Sequence, residues 1–387
     1  MRVGIFTDAY KPQVTGVVNS VVLLRRSLEA DGHEVAIVAP VCAGYVDTEP
    51  RVFRYPAITL PARVPTPLAI PVAPRVFRRI AALQLDVIHS QHPFSVGRAA
   101  AAIAARLSLP LVYTFHTQYE QYAHYVPLNQ TLVRWMVRRL VAGYAERCDV
   151  VVCPAPSVVG LLRSYGIRRP VEVVHNGIDL SMFARASAGT LRARLGIAAA
   201  APVAIFAGRL AVEKNLDFLL QAFRLAAPIV PTARLLLVGD GADRDRLRRL
   251  AGSLDLDGRV HFAGAVPYAE IPAYYAAADL FVMSSVTEVR PLAILEAMAV
   301  GLPVLGLDAP GAADTVTTGV DGVLVSRDAG AFARALAHLL DTPGTRRGLG
   351  ANARVTAGQY SIAATARRLA GIYSAVRGQR AARRTAG

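Results

Sequence analysis

Short apolar segments alternate with helical segments along nearly the whole chain. In the first half, strand-like runs include Arg2–Phe6, Val87–Ser90 and Val150–Cys153, and predicted helices lie between them. Strands that alternate with helices form parallel sheets with helices on both faces, because each crossover helix returns the chain to the same end of the sheet. The sequence therefore predicts an α/β protein with doubly wound parallel sheets.

The alternation restarts after residue 180, where Val203–Ala207 begins a second set of strands. A chain of 387 residues is long enough for two domains. We expect an N-terminal domain over 1–180, a C-terminal domain over 181–361, and a C-terminal helix over 362–387 that is able to cross back to the first domain. The small, polar segment 181–201 is interpreted as a linker. Two such domains make a cleft, and ligands bind at the carboxyl ends of the strands.

Charge and cysteine content indicate which kinds of partner and binding site this protein can have. The net charge of +15 favours an anionic partner, either a phosphorylated substrate or an acidic membrane surface, and we find no nucleic-acid-binding module. Cys42, Cys148 and Cys153 form no metal-binding or disulfide pattern. The chain has no apolar run of membrane-spanning length, and its first eight residues form a strand pattern rather than a signal peptide. We therefore expect a cytoplasmic protein.

The stretch 287–303, T-E-V-R-P-L-A-I-L-E-A-M-A-V-G-L-P, places one carboxylate in an otherwise apolar helix. Pro291 suits the first helical position and Gly301 ends the helix. A buried carboxylate needs a partner, so Glu296 either pairs with an arginine or accepts hydrogen bonds from sugar hydroxyls. In the second case, the free N–H groups at the helix N-terminus hold a phosphate nearby.

Two cations follow the strand Val203–Ala207, in G-R-L-A-V-E-K-N. Lys214 is one of two lysines in a chain that otherwise uses arginine, and lysine is a compact charge suited to phosphate. Arg209 and Lys214 are therefore either neutralisers of a leaving diphosphate or solvated surface cations. Gly16, just before the first long helix, either lets the backbone approach a phosphate or is an ordinary turn glycine.

His116 ends a predicted strand in Y-T-F-H-T, where it is either structural or in polar contact with substrate. The following segment, 118–127, concentrates Tyr119, Tyr122 and Tyr125, which suit an amphipathic acceptor or a membrane interface. The proline-rich, apolar segment 56–74 is interpreted as a packed surface loop or as an apolar flap beside an apolar acceptor.

The segment 132–140, L-V-R-W-M-V-R-R-L, places Trp135 beside Arg134, Arg138 and Arg139. An arginine-rich amphipathic helix with a tryptophan is typical of a membrane-surface element. The alternative is an ordinary packed helix with a basic outer face.

These motifs together resemble the retaining, GT-B-fold glycosyltransferases of the large family that includes phosphatidylinositol mannosyltransferases, sucrose synthase-like enzymes and bacterial lipid glucosyltransferases. The resemblance covers almost the whole chain, and the segment 116–127 looks most like the diacylglycerol glucosyltransferase branch. The residues that carry it are the Gly16 turn, F-H-T at 115–117, H-N-G-I-D at 175–179, G-R-L-x-x-E-K at 208–214, V-G-D-G at 238–241, and Glu288 with Glu296 followed by A-M-A-V-G-L-P-V.

The resemblance implies a role for each matching residue. Arg209 and Lys214 hold the donor diphosphate, Glu296 binds the ribose, Glu288 positions the donor sugar, and His116 stabilises the reacting centre. The implied sets are catalytic, His116 and Glu288; donor-binding, Gly16, Arg209, Lys214, Arg290, Leu292 and Glu296; and acceptor-binding, Tyr10, Tyr119, Tyr122 and Tyr125.

The resemblance also implies the reaction and its setting. A hexose moves from a nucleotide sugar, UDP-hexose or GDP-mannose, to a lipid hydroxyl, with glucosyl transfer to diacylglycerol favoured. Configuration is retained without a covalent enzyme intermediate, and no metal is needed because the protein's cations stabilise the leaving group. The enzyme lies at the inner face of the cell membrane as a peripheral protein on an anionic surface.

Two enzymatic alternatives remain, together with a notable departure from the family pattern; a third alternative, a non-catalytic basic binding protein, would leave the buried Glu296 unexplained. The first alternative is a GDP-mannose-dependent α-mannosyltransferase acting on phosphatidylinositol or another glycan acceptor. The second is a UDP-sugar epimerase or hydrolase of the same architecture, which the spacing of Glu288 and Glu296 disfavours. The departure is Val289-Arg290-Pro291, where the family usually has glycine or an aromatic residue and then a glycine. Arg290 either meets an extra negative charge on a ligand or pairs with a nearby carboxylate.

Overall fold

The computed structural model describes residues 1–58, 68–70, 73–126 and 128–385. The chain forms two compact units. Unit 1 comprises Met1–Gly177 together with the residues from Ile362 onward, and unit 2 comprises Ile178–Ser361. The segment 181–201 is not a linker. It begins unit 2 with two short helices, because Asp179 caps the first of them and Phe183 and Leu191 are buried in the core.

Unit 1 is built on a parallel sheet with the strand order β3-β2-β1-β6-β7-β8-β9, and β4 and β5 form a separate antiparallel pair. The strands are Arg2–Phe6 (β1), Glu34–Pro40 (β2), Val52–Tyr55 (β3), Ala57–Ile58 (β4), Leu68–Ala69 (β5), Val87–Ser90 (β6), Leu111–Thr114 (β7), Val150–Cys153 (β8) and Val171–Val173 (β9). The helices are Gly16–Ala30 (α1), Pro74–Ala81 (α2), Ser95–Arg106 (α3), Gln130–Ala145 (α4), Ser157–Ser164 (α5) and, from the C-terminal part of the chain, Ile362–Thr385 (α14), with a 3-10 segment at Tyr119–Tyr125.

Unit 2 is built on a second parallel sheet, with the strand order β12-β11-β10-β13-β14-β15. Its strands are Val203–Ala207 (β10), Arg234–Val238 (β11), Val260–Gly264 (β12), Leu280–Met283 (β13), Val304–Leu307 (β14) and Gly322–Val325 (β15). Its helices are Leu180–Ala184 (α6), Leu191–Arg194 (α7), Leu216–Ala226 (α8), Arg244–Ser253 (α9), Ile271–Ala276 (α10), Leu292–Val300 (α11), Ala329–Asp341 (α12) and Pro343–Ala357 (α13), with 3-10 segments at Val212–Lys214 and Tyr268–Glu270.

Both sheets confirm the predicted doubly wound α/β architecture, and each contains one point where the strand order reverses. In unit 1 this point lies between β1 and β6, and in unit 2 it lies between β10 and β13. Crossover connections leave these two neighbouring strands toward opposite faces, so the loops at their carboxyl ends separate and leave a crevice. The sheet order alone therefore marks where a ligand site is expected in each unit.

Helix α14 is part of the core of unit 1. Leu369, Ile372 and Tyr373 pack in one cluster with Val3 of β1 and Leu24 of α1. Buried apolar contacts of this kind are the main stabilising term for a helix whose own sequence is rich in arginine. Ion pairs on its surface add to this attachment: Arg368 with Glu172 (2.8 Å), Arg377 with Asp86 (3.4 Å) and Arg380 with Asp149 (3.1 Å).

The chain leaves unit 1 after Gly177 and re-enters it at Ile362, and these two residues lie close together in space. A Cβ atom on Gly177 would lie 2.4 Å from Ile362 Cα, so the glycine of the H-N-G-I-D motif is required by backbone packing. In unit 2, the Ile178 N–H donates to the Tyr360 carbonyl at 2.9 Å. Among the described residues, no helix combines the length and the hydropathy needed to cross a membrane.

Candidate active site

The reversal point of unit 2 brings two predicted site residues into direct contact. Lys214 follows β10 and Glu288 follows β13, which is the neighbouring strand. Lys214 Nζ donates to Glu288 Oε1 at 2.5 Å, and each side chain is 17% exposed. The sheet topology thus pairs an ammonium group with a carboxylate at the rim of the crevice.

This pairing sets the ionisation of Glu288. Burial disfavours the charged carboxylate, but the Lys214 charge, followed by hydrogen bonds from Lys214 and Ser285 and by the charge of Arg209, outweighs burial. The pKa of Glu288 is therefore lowered from its ordinary value. Glu288 is an anion at neutral pH and serves as a hydrogen-bond acceptor.

Hydrogen bonds hold the two loops together. Ser284 Oγ donates to the Lys214 carbonyl at 2.8 Å, and Ser285 Oγ donates to the Glu213 carbonyl at 3.0 Å. Asn215 has a left-handed backbone with φ of 55° and donates through Nδ2 to the Ser284 carbonyl at 3.1 Å. The Lys214 ammonium is therefore held by a fixed backbone rather than by a free loop.

Arg209 lies in the same loop and donates through Nη2 to the Glu213 carboxylate. The Glu213 side chain is only 1% exposed, whereas the Arg209 side chain is 35% exposed. Glu213 therefore orients the guanidinium while leaving part of it accessible. Sequence reasoning gave Glu213 no role, although its spacing of four residues from Arg209 is a recognisable signal for an ion pair.

Three glycines allow close backbone packing at the site, two of them beneath the loop that carries Arg209 and one beside Glu288. A Cβ on Gly239 would lie 1.9 Å from the Gly208 carbonyl oxygen, and one on Gly241 would lie 2.2 Å from the Leu210 carbonyl oxygen. Both glycines belong to V-G-D-G after β11, so that motif supports the backbone that carries Arg209. Gly311, with φ of 83°, similarly allows an approach to the Glu288 carbonyl, where a Cβ would be 2.7 Å away.

Glu296 lies in α11, which begins at Leu292, with Pro291 as the preceding N-cap residue rather than the first helical residue. Tyr268 donates its hydroxyl to Glu296 Oε1 at 2.9 Å, and Tyr275 donates to Oε2 at 3.1 Å. Burial raises the pKa of Glu296 to about 7, and the two phenols act in the opposite direction. The alternative of an ion pair with arginine is wrong for the part of the chain that the structure describes, because no basic group lies within salt-bridge distance of Glu296 there.

Arg290 and Leu292 lie between these two acids. Arg290 is 5% exposed, donates through Nη2 to the Asp314 carbonyl at 2.9 Å, and places its guanidinium 5.0 Å from the centre of the Tyr360 ring. Leu292 is buried as the first residue of α11, and no side chain caps that helix end among the described residues. Arg290 is thus in contact with groups of its own unit.

In unit 1, Gly16 begins α1, and the Thr15 side chain caps the helix by accepting the Val18 N–H at 3.2 Å. A Cβ on Gly16 would meet no atom within 4 Å. Packing inside unit 1 therefore does not require glycine at this position.

His116 follows β7 and is half-buried. Its Nε2 donates to Gln91 Oε1 at 2.7 Å. Burial, followed by the influence of His92, lowers the pKa of His116 to about 3. The imidazole is therefore neutral across the physiological range, with its orientation set by Gln91.

Sequence reasoning missed two further polar side chains that follow strands of unit 1, Asp8 and His92. Asp8 follows β1, and its carboxylate accepts from Ser95 Oγ at 2.7 Å and from the Val96 N–H at 2.8 Å. His92 follows β6, and its Nδ1 accepts the Asp8 N–H at 3.1 Å. Their position directly after neighbouring strands is the signal that could have identified them.

The predicted acceptor-binding tyrosines lie in different environments. Tyr10 is 2% exposed and donates to Glu49 Oε2 at 2.8 Å. Tyr119 packs edge-on against Phe94, with ring centres 4.7 Å apart, and Tyr122 is half-buried. The side chain of Tyr125 lies outside the described residues, as do 59–67 and 71–72 of the predicted apolar flap and Pro127.

Helix α4 exposes apolar side chains next to basic ones. Trp135 is 59% exposed and Met136 is 52% exposed, whereas Val133 and Val141 are buried on the other side. We call the exposed set the α4 surface; its residues are Leu132, Arg134, Trp135, Met136, Arg138, Arg139 and Leu140.

Comparison with known proteins shows which family the chain resembles. Residues 14–182 match the model of glycosyltransferase family 4, and residues 188–356 match that of glycosyl transferases group 1. An alpha-monoglucosyldiacylglycerol synthase from Streptococcus pneumoniae is 32% identical over 89% of this chain and 79% of its own. A GDP-mannose-dependent alpha-mannosyltransferase from Mycobacterium tuberculosis is 31% identical over 98% of both chains.

A solved structure shows the same fold. Sucrose-phosphate synthase from Thermosynechococcus elongatus superposes with a TM-score of 0.80 at 23% identity, covering 97% of this chain and 98% of its own. Together, the two doubly wound sheets, the matched family models and the relatives above 30% identity leave one assignment. The chain belongs to glycosyltransferase family 4 and is a glycosyltransferase with the GT-B fold.

Proposed function

We propose that this protein is a retaining glycosyltransferase that moves glucose from UDP-glucose to the hydroxyl of diacylglycerol at the inner face of the cell membrane. The observation that most supports this proposal is the 32% identity to the alpha-monoglucosyldiacylglycerol synthase, whose name states the lipid product. The Lys214–Glu288 pair and the buried Glu296 supply donor-binding groups of the right chemistry in unit 2.

We assign the donor diphosphate to Arg209 and Lys214. When the bond between the sugar and the diphosphate breaks, negative charge develops on a phosphate oxygen. Cations that a rigid backbone has already positioned stabilise that charge. Glu213 and the 284–285 hydroxyls hold the loop in place without ligand. The uncapped first turn of α11 offers further N–H donors to phosphate, and Gly16 offers close backbone approach in unit 1.

We assign the donor sugar to Glu288 and His116. Glu288 is an anion that accepts hydrogen bonds from sugar hydroxyls, and His116 is a neutral imidazole at working pH. The acceptor hydroxyl attacks the anomeric carbon on the face that the diphosphate leaves, and its proton passes to the departing phosphate oxygen. The configuration is then retained without a covalent intermediate.

We assign membrane attachment to the α4 surface. Exposed tryptophan, methionine and leucine side chains enter the interfacial region of a bilayer, while the neighbouring arginines meet anionic head groups. Such attachment gives a cytoplasmic enzyme access to a lipid acceptor that never leaves the membrane.

The test is a transfer assay with the purified full-length protein and diacylglycerol in anionic vesicles. UDP-glucose, UDP-galactose and GDP-mannose are offered separately, and the lipid product and its anomeric configuration are determined. Glucosyl-diacylglycerol of the α configuration is expected. Donor turnover without a lipid product would contradict the acceptor assignment, and a β product would contradict retention.

Membrane attachment is tested by sedimentation with anionic vesicles. Replacing Arg138 and Arg139 by glutamate should weaken binding about tenfold or more, since each basic residue near such a surface contributes about 1 kcal/mol. The matched control reverses the exposed Arg334 and Arg347 of unit 2, which changes the net charge equally. Equal loss in both variants would reduce the effect to net charge and remove the α4 assignment.

A second candidate is GDP-mannose-dependent α-mannosyl transfer to a phosphatidylinositol or another glycan acceptor. The observation that favours it is the match along 98% of both chains to a mannosyltransferase of that description. Product formation from GDP-mannose alone in the same assay would select this candidate.

A further inference from the structure

Glu296 is held by two phenol hydroxyls rather than by a cation. Tyr268 and Tyr275 each donate one hydrogen bond, to Oε1 and Oε2 respectively. Tyr275 is fully buried, and Glu296 is 5% exposed. A carboxylate at this depth is costly unless its oxygens receive hydrogen bonds, so the two phenols stabilise its charged form directly.

In the part of the chain that the structure describes, no basic group forms an ion pair with Glu296. From α6, the Phe183 ring packs 6.3 Å from the Tyr268 ring and 6.2 Å from the Tyr275 ring, and Asp179, which caps that helix, brings a negative charge near Tyr268. From α13, Arg354 donates to the carbonyl of Val300, the last residue of α11. Within the described residues, the phenols are therefore the hydrogen-bond donors on which the Glu296 charge depends.

The choice of tyrosine leaves Glu296 able to bind a ligand. An arginine forms a bidentate pair that engages both carboxylate oxygens and neutralises the charge. A phenol donates a single proton, so each Glu296 oxygen keeps further acceptor capacity out of about four lone-pair sites in all. Two oxygens fixed in orientation, each with a remaining lone pair, match the two adjacent hydroxyls of a ribose.

We propose that Tyr268 and Tyr275 are positioning residues that orient the Glu296 carboxylate toward the two ribose hydroxyls of the donor nucleotide. The inference rests on the proposed donor-binding role of Glu296 and extends it to two residues that no motif includes. Neither tyrosine touches the ligand; each acts through Glu296.

The same contacts make donor binding sensitive to pH. Burial raises the pKa of Glu296 to about 7, and the two phenols lower it. Removing one hydroxyl therefore raises the pKa further. The protonated acid is the poorer acceptor, so the pH at which donor affinity is lost on acidification moves upward in either tyrosine variant.

The experiment measures binding of UDP and GDP by calorimetry between pH 5.5 and 8.5, using the full-length protein. Each nucleotide is compared with its 2′-deoxy and 3′-deoxy forms, and the ratio of the affinities is the readout. The variants are Tyr268→Phe, Tyr275→Phe and Glu296→Gln. Tyr274→Phe is the matched control, since it removes the neighbouring phenol of α10, whereas the hydrogen bond from that helix to Glu296 comes from Tyr275.

The ribose-to-deoxyribose ratio should fall about tenfold in Tyr268→Phe and Tyr275→Phe, the lower end of what a hydrogen bond to a charged group contributes. The acid midpoint should rise in the same variants, while Tyr274→Phe leaves both quantities unchanged. A melting temperature that falls with an unchanged ratio and midpoint would show a purely structural role and overturn the proposal. An unchanged ratio in Glu296→Gln would overturn the ribose assignment itself. The transfer assay tests the proposed function separately, because it detects the lipid product and not the contact to the ribose.

Discussion

Replacing Lys214 by methionine tests the Lys214–Glu288 pair most directly. Methionine keeps most of the side-chain volume and removes the charge, so Glu288 remains at 17% exposure without its nearest cation. Breaking a buried pair by removing one partner costs about 3 to 5 kcal/mol. The hydrogen bond from Ser285 and the charge of Arg209 remain, which places the expected cost at the lower end, about 3 kcal/mol.

For a unit of this size, the expected fall in melting temperature is about 6 to 12 °C. The effect depends on pH with a definite sign. Lys214 lowers the pKa of Glu288, and a carboxylate with a lowered folded-state pKa contributes stability above its unfolded pKa of about 4.3 and loses it as the pH falls through the folded value. The difference in the free energy of unfolding between wild type and variant therefore has its full size at pH 7 and becomes smaller below pH 4.

The assay is differential scanning calorimetry of the full-length protein, followed across pH, with a double-mutant cycle that adds Glu288→Gln. The matched control is Arg246→Met, which removes a 44% exposed guanidinium from its ion pairs to Asp217 and Asp243. Exposed pairs contribute less than about 1 kcal/mol. A Lys214→Met shift no larger than the control, or a shift that persists undiminished in acid, would refute the reasoning.

Three further outcomes follow from other contacts. Gly239→Ala forces the Gly208 carbonyl to move from a Cβ 1.9 Å away, so the rate of glycosyl transfer should fall about 100-fold, as expected when groups at the reacting centre are displaced by about 1 Å; an unchanged rate would contradict this. Tyr373→Phe leaves His89 Nδ1 without its buried hydrogen-bond partner at 2.7 Å and should cost about 1 to 3 kcal/mol in thermal unfolding, and a stability equal to wild type would contradict it. Glu296→Gln should raise the melting temperature at pH 8 and not at pH 5, because an acid whose folded pKa is raised to about 7 loses stability as pH rises through that value; an equal change at both pH values would contradict it.

The sequence predicted the fold well because its dominant signal is local. Buried parallel strands such as Val203–Ala207 are continuous apolar runs, and their alternation with helices determines the doubly wound class. Val52–Tyr55 was missed because an edge strand of four residues, mostly half-buried, carries no such run. The segment 181–201 was misinterpreted because its two short helices are defined by tertiary burial of a few side chains, which composition does not reveal.

The positions of candidate site residues were predictable where those residues directly follow a strand. Lys214 and Glu288 are 74 residues apart, yet they meet because β10 and β13 are neighbours. Partners that depend on packing between distant segments were not predictable in this way. Asp8 contacts Ser95 across 87 residues, and the Tyr275 hydroxyl reaches Glu296 from another helix. Tyr268 and Tyr275 are spaced by seven residues, about two helical turns, which is the faint signal that places both on one face.

The return of α14 to unit 1 determines the order in which the two units are completed during synthesis. Unit 2 is continuous from Ile178 to Ser361, so every residue it needs has emerged before α14 begins. Unit 1 lacks a helix of 24 residues until then, which leaves one side of α1 uncovered and His89 without the Tyr373 hydroxyl. On the ribosome, the half of the protein that is translated first is therefore the half that is finished last.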